Sequence, residues 1–310
     1  MIRLSDYLKA VFGEKIYRLS LSSGCTCPNR DGTIMSGGCT FCSEGGSGEF
    51  AAQTGDLSER IEEAKARIRQ KTDAKRFIAY FQSYSNTYGD PDRLRALYME
   101  TIRREDIAVL SLATRPDCLP PGIMALLADL NAIKPVWVEL GLQTSCERTA
   151  EAIRRGYPLE VFTRGYAALK QAGIGVIVHI ILGLPGESRE DMLSTARYLA
   201  SLDPPPDGIK IQMLQVLKGT ALGDRYLKDP FPLMTLGEYA ACVRDIAGIL
   251  PPRTVLHRMT GDGPRALLIA PEWCLHKKNV LNTMNRCLQD CFVPYEPASA
   301  RPETVTRRPG

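Results

Sequence analysis

Short runs of apolar and β-branched residues alternate along the chain with stretches in which apolar residues recur at helical spacing. The runs IYRLSLSS (16–23), FIAYFQS (77–83), IAVLSLAT (107–114), PVWVELGL (135–142), VIVHIILG (176–183) and IKIQMLQV (209–216) predict six strands. Helices are predicted between and after them, at about 57–72, 91–104, 120–131, 146–154, 159–172 and 187–202. Strand alternating with helix six times implies a parallel sheet with right-handed crossovers. Such a sheet is either flat and doubly wound or curved into a partial (β/α) barrel. No GxGxxG opens a helix after the first strand, which removes the main support for a dinucleotide-binding sheet. Polar residues gather at the C-terminal ends of the strands, in Gln82-Ser83-Tyr84, Thr114-Arg115-Pro116-Asp117, Gln143-Thr144-Ser145 and Gly183-Leu184-Pro185-Gly186. Both architectures build their sites there.

Near residue 203 the pattern loosens into DPPPDG, read as a turn feeding the sixth strand. A helix at about 235–250, a strand-like TVLHRM, the turn TGDGP and a last helix at about 276–290 follow. The expected organisation is a core over 1–220, a C-terminal extension over 221–296 packed on it, and a Pro- and Arg-rich tail over 297–310 that is disordered.

With 44% hydrophobic residues among 310, and 39 Lys+Arg against 35 Asp+Glu, the chain has a globular composition that excludes collagen, wholesale disorder and a small disulfide scaffold. No run approaches the roughly 18 apolar residues of a spanning helix, and the N-terminus lacks the order of a signal peptide, so a cytoplasmic protein is expected. The net charge of +4 is too small to imply nucleic-acid binding by itself. The most basic stretch, Arg60 to Arg76, sets seven cations against three anions at helical spacing. It reads first as a solvated helix face, with an RNA-facing patch as the alternative.

Ten cysteines without a secretory signal argue for free thiols rather than disulfides. Cys118, Cys146 and Cys242 stand alone in apolar or helical surroundings and read as core fillers. Cys287 and Cys291, four apart on a predicted helix, read as helix packing, because a second cluster would need more ligands than Cys274 and His276 supply. Cys25, Cys27, Cys39 and Cys42 crowd into one Gly-rich loop, 24–48. The two-residue gap between Cys39 and Cys42 turns two thiolates toward one metal centre, and Cys27 adds a third. Structural zinc would take Cys25 as its fourth ligand. An iron-sulfur cluster with one iron open needs only three thiolates.

The motifs CPNRDG with GGCTFC, then YFQSYSNTY, ATRPDCL, WVELGLQTS, HIILGLPGE, LQVLKGT, HRMTGDGP and LLIAPEW occur in that order. In this the sequence resembles the radical S-adenosylmethionine (radical SAM) superfamily, specifically its YtqA/YhcC-like branch, related to the catalytic subunit of the elongator complex. The resemblance implies a partial (β/α)6 TIM-type barrel with a small C-terminal extension. It implies a 4Fe-4S cluster held by Cys27, Cys39 and Cys42, whose open iron binds S-adenosylmethionine. By the same resemblance Phe41 lies beside the adenine, Gln143 and Arg155 meet the methionine part, and His179 stands where relatives carry an Asp toward the ribose. Each assignment has a structural competitor: Gln143 as a helix cap, Arg155 paired with Glu151, His179 as a bonded core-edge histidine, and LGLPGE as a turn with Glu187 in the first helical turn. Asp262 in TGDGP is left unassigned.

The chemistry implied is reductive cleavage of S-adenosylmethionine to a 5′-deoxyadenosyl radical, with electrons from a donor such as flavodoxin or ferredoxin. The branch points to tRNA as substrate, at the 5 position of a wobble uridine, with a methyltransferase as a possible partner. A radical reaction on a small molecule or tetrapyrrole is the alternative, and a non-catalytic iron-sulfur or zinc module is a third reading.

Overall fold

The structure, a computed structural model, describes residues 1–296 apart from Ser47, Thr54, Lys71 and Asp262. Asp262 and the tail 297–310 therefore lie outside the described residues. The chain runs β1 (Ile2–Arg3), α1 (Leu4–Phe12), β2 (Tyr17–Leu21), α2 (Leu57–Arg69), β3 (Phe77–Phe81), α3 (Pro91–Arg103), β4 (Ile107–Thr114), α4 (Pro121–Asn131) and β5 (Val136–Gln143). It continues through α5 (Glu147–Ala152), α6 (Leu159–Gln171), β6 (Gly175–Leu182), α7 (Arg189–Ser201), β7 (Gly208–Met213), β8 (Val216–Leu217) and α8 (Ala221–Lys228). It ends with α9 (Leu236–Ile249), β9 (Val255–Arg258), β10 (Leu268–Ala270) and α10 (Lys277–Leu288). No helix among the described residues is long and apolar enough to cross a membrane.

The six expected strands are β2 to β7, which lie side by side in chain order, every pair parallel. The strand-like TVLHRM becomes β9, which pairs parallel with β7, and β1 pairs parallel with β9, so the sheet has eight strands and curls into a half-barrel. A two-stranded antiparallel ribbon, β8 with β10, stands apart. All eight residues of β4 are buried, as expected of a parallel strand covered on both faces. Helix starts follow their local chemistry: capping boxes at Asp56/Glu59, Ser188/Asp191 and Thr235/Glu238 open α2, α7 and α9.

Alternation along the strands divides the core. Leu19 and Leu21, Ala79 and Phe81, Leu110 and Leu112, Val138 and Leu140, Val178 and Ile180, and Ile209 and Ile211 pack in one large cluster with the surrounding helices. Residues one step out of phase, Ile78 and Tyr80, Val109, Trp137 and Ile177, form a second cluster with Leu8 and the half-buried Leu4, Tyr7 and Phe12 of α1. Helix α1 thus closes the N-terminal end of the barrel, and the site is left to the other end.

Candidate active site

The long segment between β2 and α2 carries the cysteines. It leaves the top of β2, turns back at Cys27, where the amides of Arg30 and Asp31 donate to the Cys27 carbonyl, and folds over the strand ends. Positive φ at Gly32, Gly37, Gly38 and Gly46 makes this path possible. Gly46 shows why a side chain is excluded: a Cβ there would come within 2.3 Å of the Tyr84 ring.

One cavity is lined by all seven residues singled out by sequence: Cys27, Cys39, Cys42, Phe41, Gln143, Arg155 and His179. Asn29 Nδ2 donates to Cys39 Sγ at 3.4 Å and to the Arg154 carbonyl at 2.6 Å, fastening the cysteine loop to the end of α5. Arg30 donates to the carbonyls of Cys42 and Ser43. Burial and the neighbouring Cys42 push the Cys39 thiol up to about 12, and burial raises Cys42 as well. A bound metal reverses that preference by coordinating the thiolate.

Cys25 does not face this cavity. It is buried, its Sγ receives a hydrogen bond from Arg93 Nη2 at 3.1 Å, and with Cys118 it lines a different cavity behind the loop. Cys118 and Cys242 are buried as expected, whereas Cys146 is only half-buried, because it stands at the N-cap of α5 rather than within the helix.

Gln143 does not cap α5, whose N-cap is Cys146 with no side-chain cap bond. It sits at φ 68 where the register between β5 and β6 slips, a bulge that turns the residue into the cavity. Arg155 does not pair with Glu151, because α5 ends at Ala152 and the chain reverses through Arg154 (φ 57) and Gly156 (φ 80). Its buried guanidinium instead donates to the carbonyls of Tyr157, Leu142 and Thr144 and to Glu147, four bonds from five N–H groups, and lies 4.6 Å from the Tyr157 ring centroid.

His179 Nε2 lies 2.9 Å from Glu139 Oε2. Glu139 is fully buried, takes Ser111 Oγ at 3.0 Å on its other oxygen, and is ion-paired with Lys210 from the next strand but one. Burial alone would raise this carboxyl, yet Lys210, the His179 bond and Arg18 hold it well below the usual range. Burial lowers His179 to about 4, so its ring is neutral at pH 7. Sequence reading missed Glu139 and Lys210, and it placed Arg115 among the strand-end polar residues without a role; Arg115 is buried, forks onto Asp117, donates to the Arg155 carbonyl and lies over Tyr157.

Residues 24–199 match the family model of the Radical SAM superfamily, and residues 206–290 match the Radical_SAM C-terminal domain. The chain belongs to the radical SAM superfamily. It is 42% identical to the uncharacterized protein YtqA of Bacillus subtilis over 93% of this chain and 89% of that one. A tRNA uridine(34) acetyltransferase of Dehalococcoides mccartyi is 27% identical over 52% of this chain and 35% of its own length. In fold, the chain matches the archaeal Elp3 of Methanocaldococcus infernus with TM-score 0.61 at 17% identity, over 74% of this chain and 58% of that one.

As a radical SAM enzyme the protein uses a 4Fe-4S cluster and S-adenosylmethionine and requires a reductant. The residues present fit that pair. Three thiols share one cavity, an amide N–H points at one sulfur, and Gly38 turns the loop beside the Arg30 guanidinium at φ 84, a conformation that favours glycine. Among the described residues no three His, Cys, Asp or Glu side chains lie close enough to hold one metal ion. A four-iron cluster does not require that, since each thiolate holds a different iron.

Proposed function

We propose that this radical SAM enzyme acts on tRNA, remodelling the side chain at the 5 position of a wobble uridine, and that Cys27, Cys39 and Cys42 hold its cluster. The observation that carries the substrate is the similarity of half the chain to a tRNA uridine(34) acetyltransferase. When bound, the cluster and S-adenosylmethionine supply a 5′-deoxyadenosyl radical. The chain's own residues orient and enclose the reactants. Phe41 offers a ring face to the adenine, Gln143 is turned toward the methionine part by its bulge, and Arg155 reaches a carboxylate with its remaining N–H. His179, neutral and anchored on Glu139, meets the ribose. The reductant is a low-potential flavodoxin or ferredoxin, and a methyltransferase is the partner suited to take up the product. The enzyme works in the cytoplasm, where its substrate is.

Arg155→Lys is expected to bind S-adenosylmethionine more weakly, because an ammonium cannot span the carbonyls that the guanidinium bridges and still turn an N–H to a carboxylate. The lost bonds also lower stability, by about 1–3 kcal/mol. Calorimetric titration of the reconstituted variant checks this, and unchanged affinity would leave Arg155 a purely structural role. The substrate is tested in a strain lacking the gene. Its digested tRNA should accumulate a precursor of the modified wobble uridine by mass spectrometry, and an unaltered nucleoside profile would refute the tRNA assignment.

A further inference from the structure

A second cavity, of about 680 Å³, adjoins the first and shares Phe41, Tyr80, Gln82, Gln212 and Arg258 with it. Its size lies within the range of about 300–1,000 Å³ usual for small-ligand sites. Two kinds of group on its wall suit a nucleobase. Phe41, Phe50 and Tyr80 contribute aromatic rings, Tyr80 with Lys210 already over it at 4.1 Å, and Gln82, Gln212 and Gln215 contribute amides, a group that both donates and accepts. Phe50 is 51% exposed, a large aromatic ring left in water at this cavity.

Cations stand next in sequence to residues of this wall on three separate elements. Lys218 follows Leu217 of the cavity wall, Arg265 follows Pro264 of the wall, and Lys278 follows Lys277, itself on the wall, in the first turn of α10. All four cations are exposed, and Lys218, Arg265 and Lys278 make no ion pair among the described residues. The stretch that looks most basic in sequence is different. In α2 and just after it, Lys65 pairs with Glu62 and Asp106, Arg67 with Glu63, Arg69 with Glu62 and Arg76 with Glu14, while Arg60 donates to the Ser22 carbonyl. Four of that stretch's cations are thus paired with carboxylates.

We propose that the rim of the second cavity is a docking surface for single-stranded RNA. Lys218, Arg265 and Lys278 hold phosphates, and one unstacked nucleotide enters the cavity with its base on Phe50 and its edge read by the glutamines. Stacking on an exposed ring beside a cationic track is how single strands are held, and an extruded base is what an enzyme acting on a base requires. A lipid surface would use the cations but not the amides. The inference rests on the RNA reading above and adds to it the surface and the pocket.

The test is binding of the reconstituted enzyme to total tRNA from the deletion strain, followed by fluorescence anisotropy across a salt series. The triple variant Lys218→Ala, Arg265→Ala, Lys278→Ala should lose about tenfold or more in affinity, and its slope of log K against log salt should fall by about 2–3. Phe50→Ala should weaken binding by about five- to a hundredfold with the slope unchanged. Arg67→Ala with Arg69→Ala on α2 should bind like the wild type. The surface is overturned if the triple variant binds like the wild type, if the α2 variant carries the loss, if no tRNA binds, or if anionic phosphatidylglycerol vesicles bind in its place. The two readings separate cleanly. An altered nucleoside profile with full binding by the triple variant removes the surface alone, whereas an intact profile with the expected salt and Phe50 dependence removes the uridine assignment alone.

Discussion

Single replacement of Cys27, Cys39 or Cys42 by Ala is expected to abolish both the cluster absorbance after anaerobic reconstitution and the formation of 5′-deoxyadenosine, whereas Cys25→Ala retains both. A cluster that keeps one iron open for S-adenosylmethionine has three protein ligands, and losing one leaves a second iron without its thiolate. The three thiols line one cavity, and Cys25 lines another, with its sulfur engaged by Arg93. Parallel spectra of the four variants check this. Loss of the cluster in Cys25→Ala together with retention in Cys27→Ala would exchange their roles.

The second large effect is on stability. Lys210→Met is expected to cost about 3–5 kcal/mol, because it leaves the Glu139 carboxylate buried without its cation. Adding Glu139→Gln to Lys210→Met should recover much of the loss, since an amide in the same place needs no counter-charge. The pH dependence has a fixed sign. His179 titrates near 4 in the folded protein and near 6.5 when unfolded, so the unfolded chain takes up the proton first and stability falls as pH drops from about 6.5 toward 4. Glu139 adds to this at lower pH, because its stabilisation is present above the usual carboxylate range and is lost as pH falls through its depressed folded value. Urea titrations at several pH values measure both effects. Equal midpoints for Lys210→Met and wild type would mean that the pair is not a buried charge pair in solution.

Much of the fold is legible in the sequence because buried parallel strands are written as long apolar runs bounded by polar turns. The run IAVLSLAT coincides with β4, and the other five strands fall within three residues of their expected ends. What sequence does not carry is pairing between distant short segments. Ile2–Arg3 is a strand only because Val255–Arg258 lies beside it, and α1 has its role only because the barrel end is open to it. Spacing and glycines mark the loop as a metal-binding segment but leave Cys25 open, and the choice of Cys27, Cys39 and Cys42 comes from the family resemblance. Glu139 and Lys210 are single charges within apolar runs, opposite in sign and on strands β5 and β7 that flank β6, and that pattern was available as a signal for a buried polar layer. The bulge at Gln143 and the reversal after α5 were not, since both depend on backbone conformations that no side-chain pattern records.

The most direct measurement combines cofactor and substrate in one tube. Reconstituted enzyme, dithionite and S-adenosylmethionine are incubated with tRNA from the deletion strain, and 5′-deoxyadenosine and digested nucleosides are quantified together. The expected result is that the accumulated wobble nucleoside disappears as 5′-deoxyadenosine forms, and that the Cys39→Ala enzyme does neither. Formation of 5′-deoxyadenosine at the same rate with and without tRNA, with every nucleoside unchanged, would contradict action on tRNA.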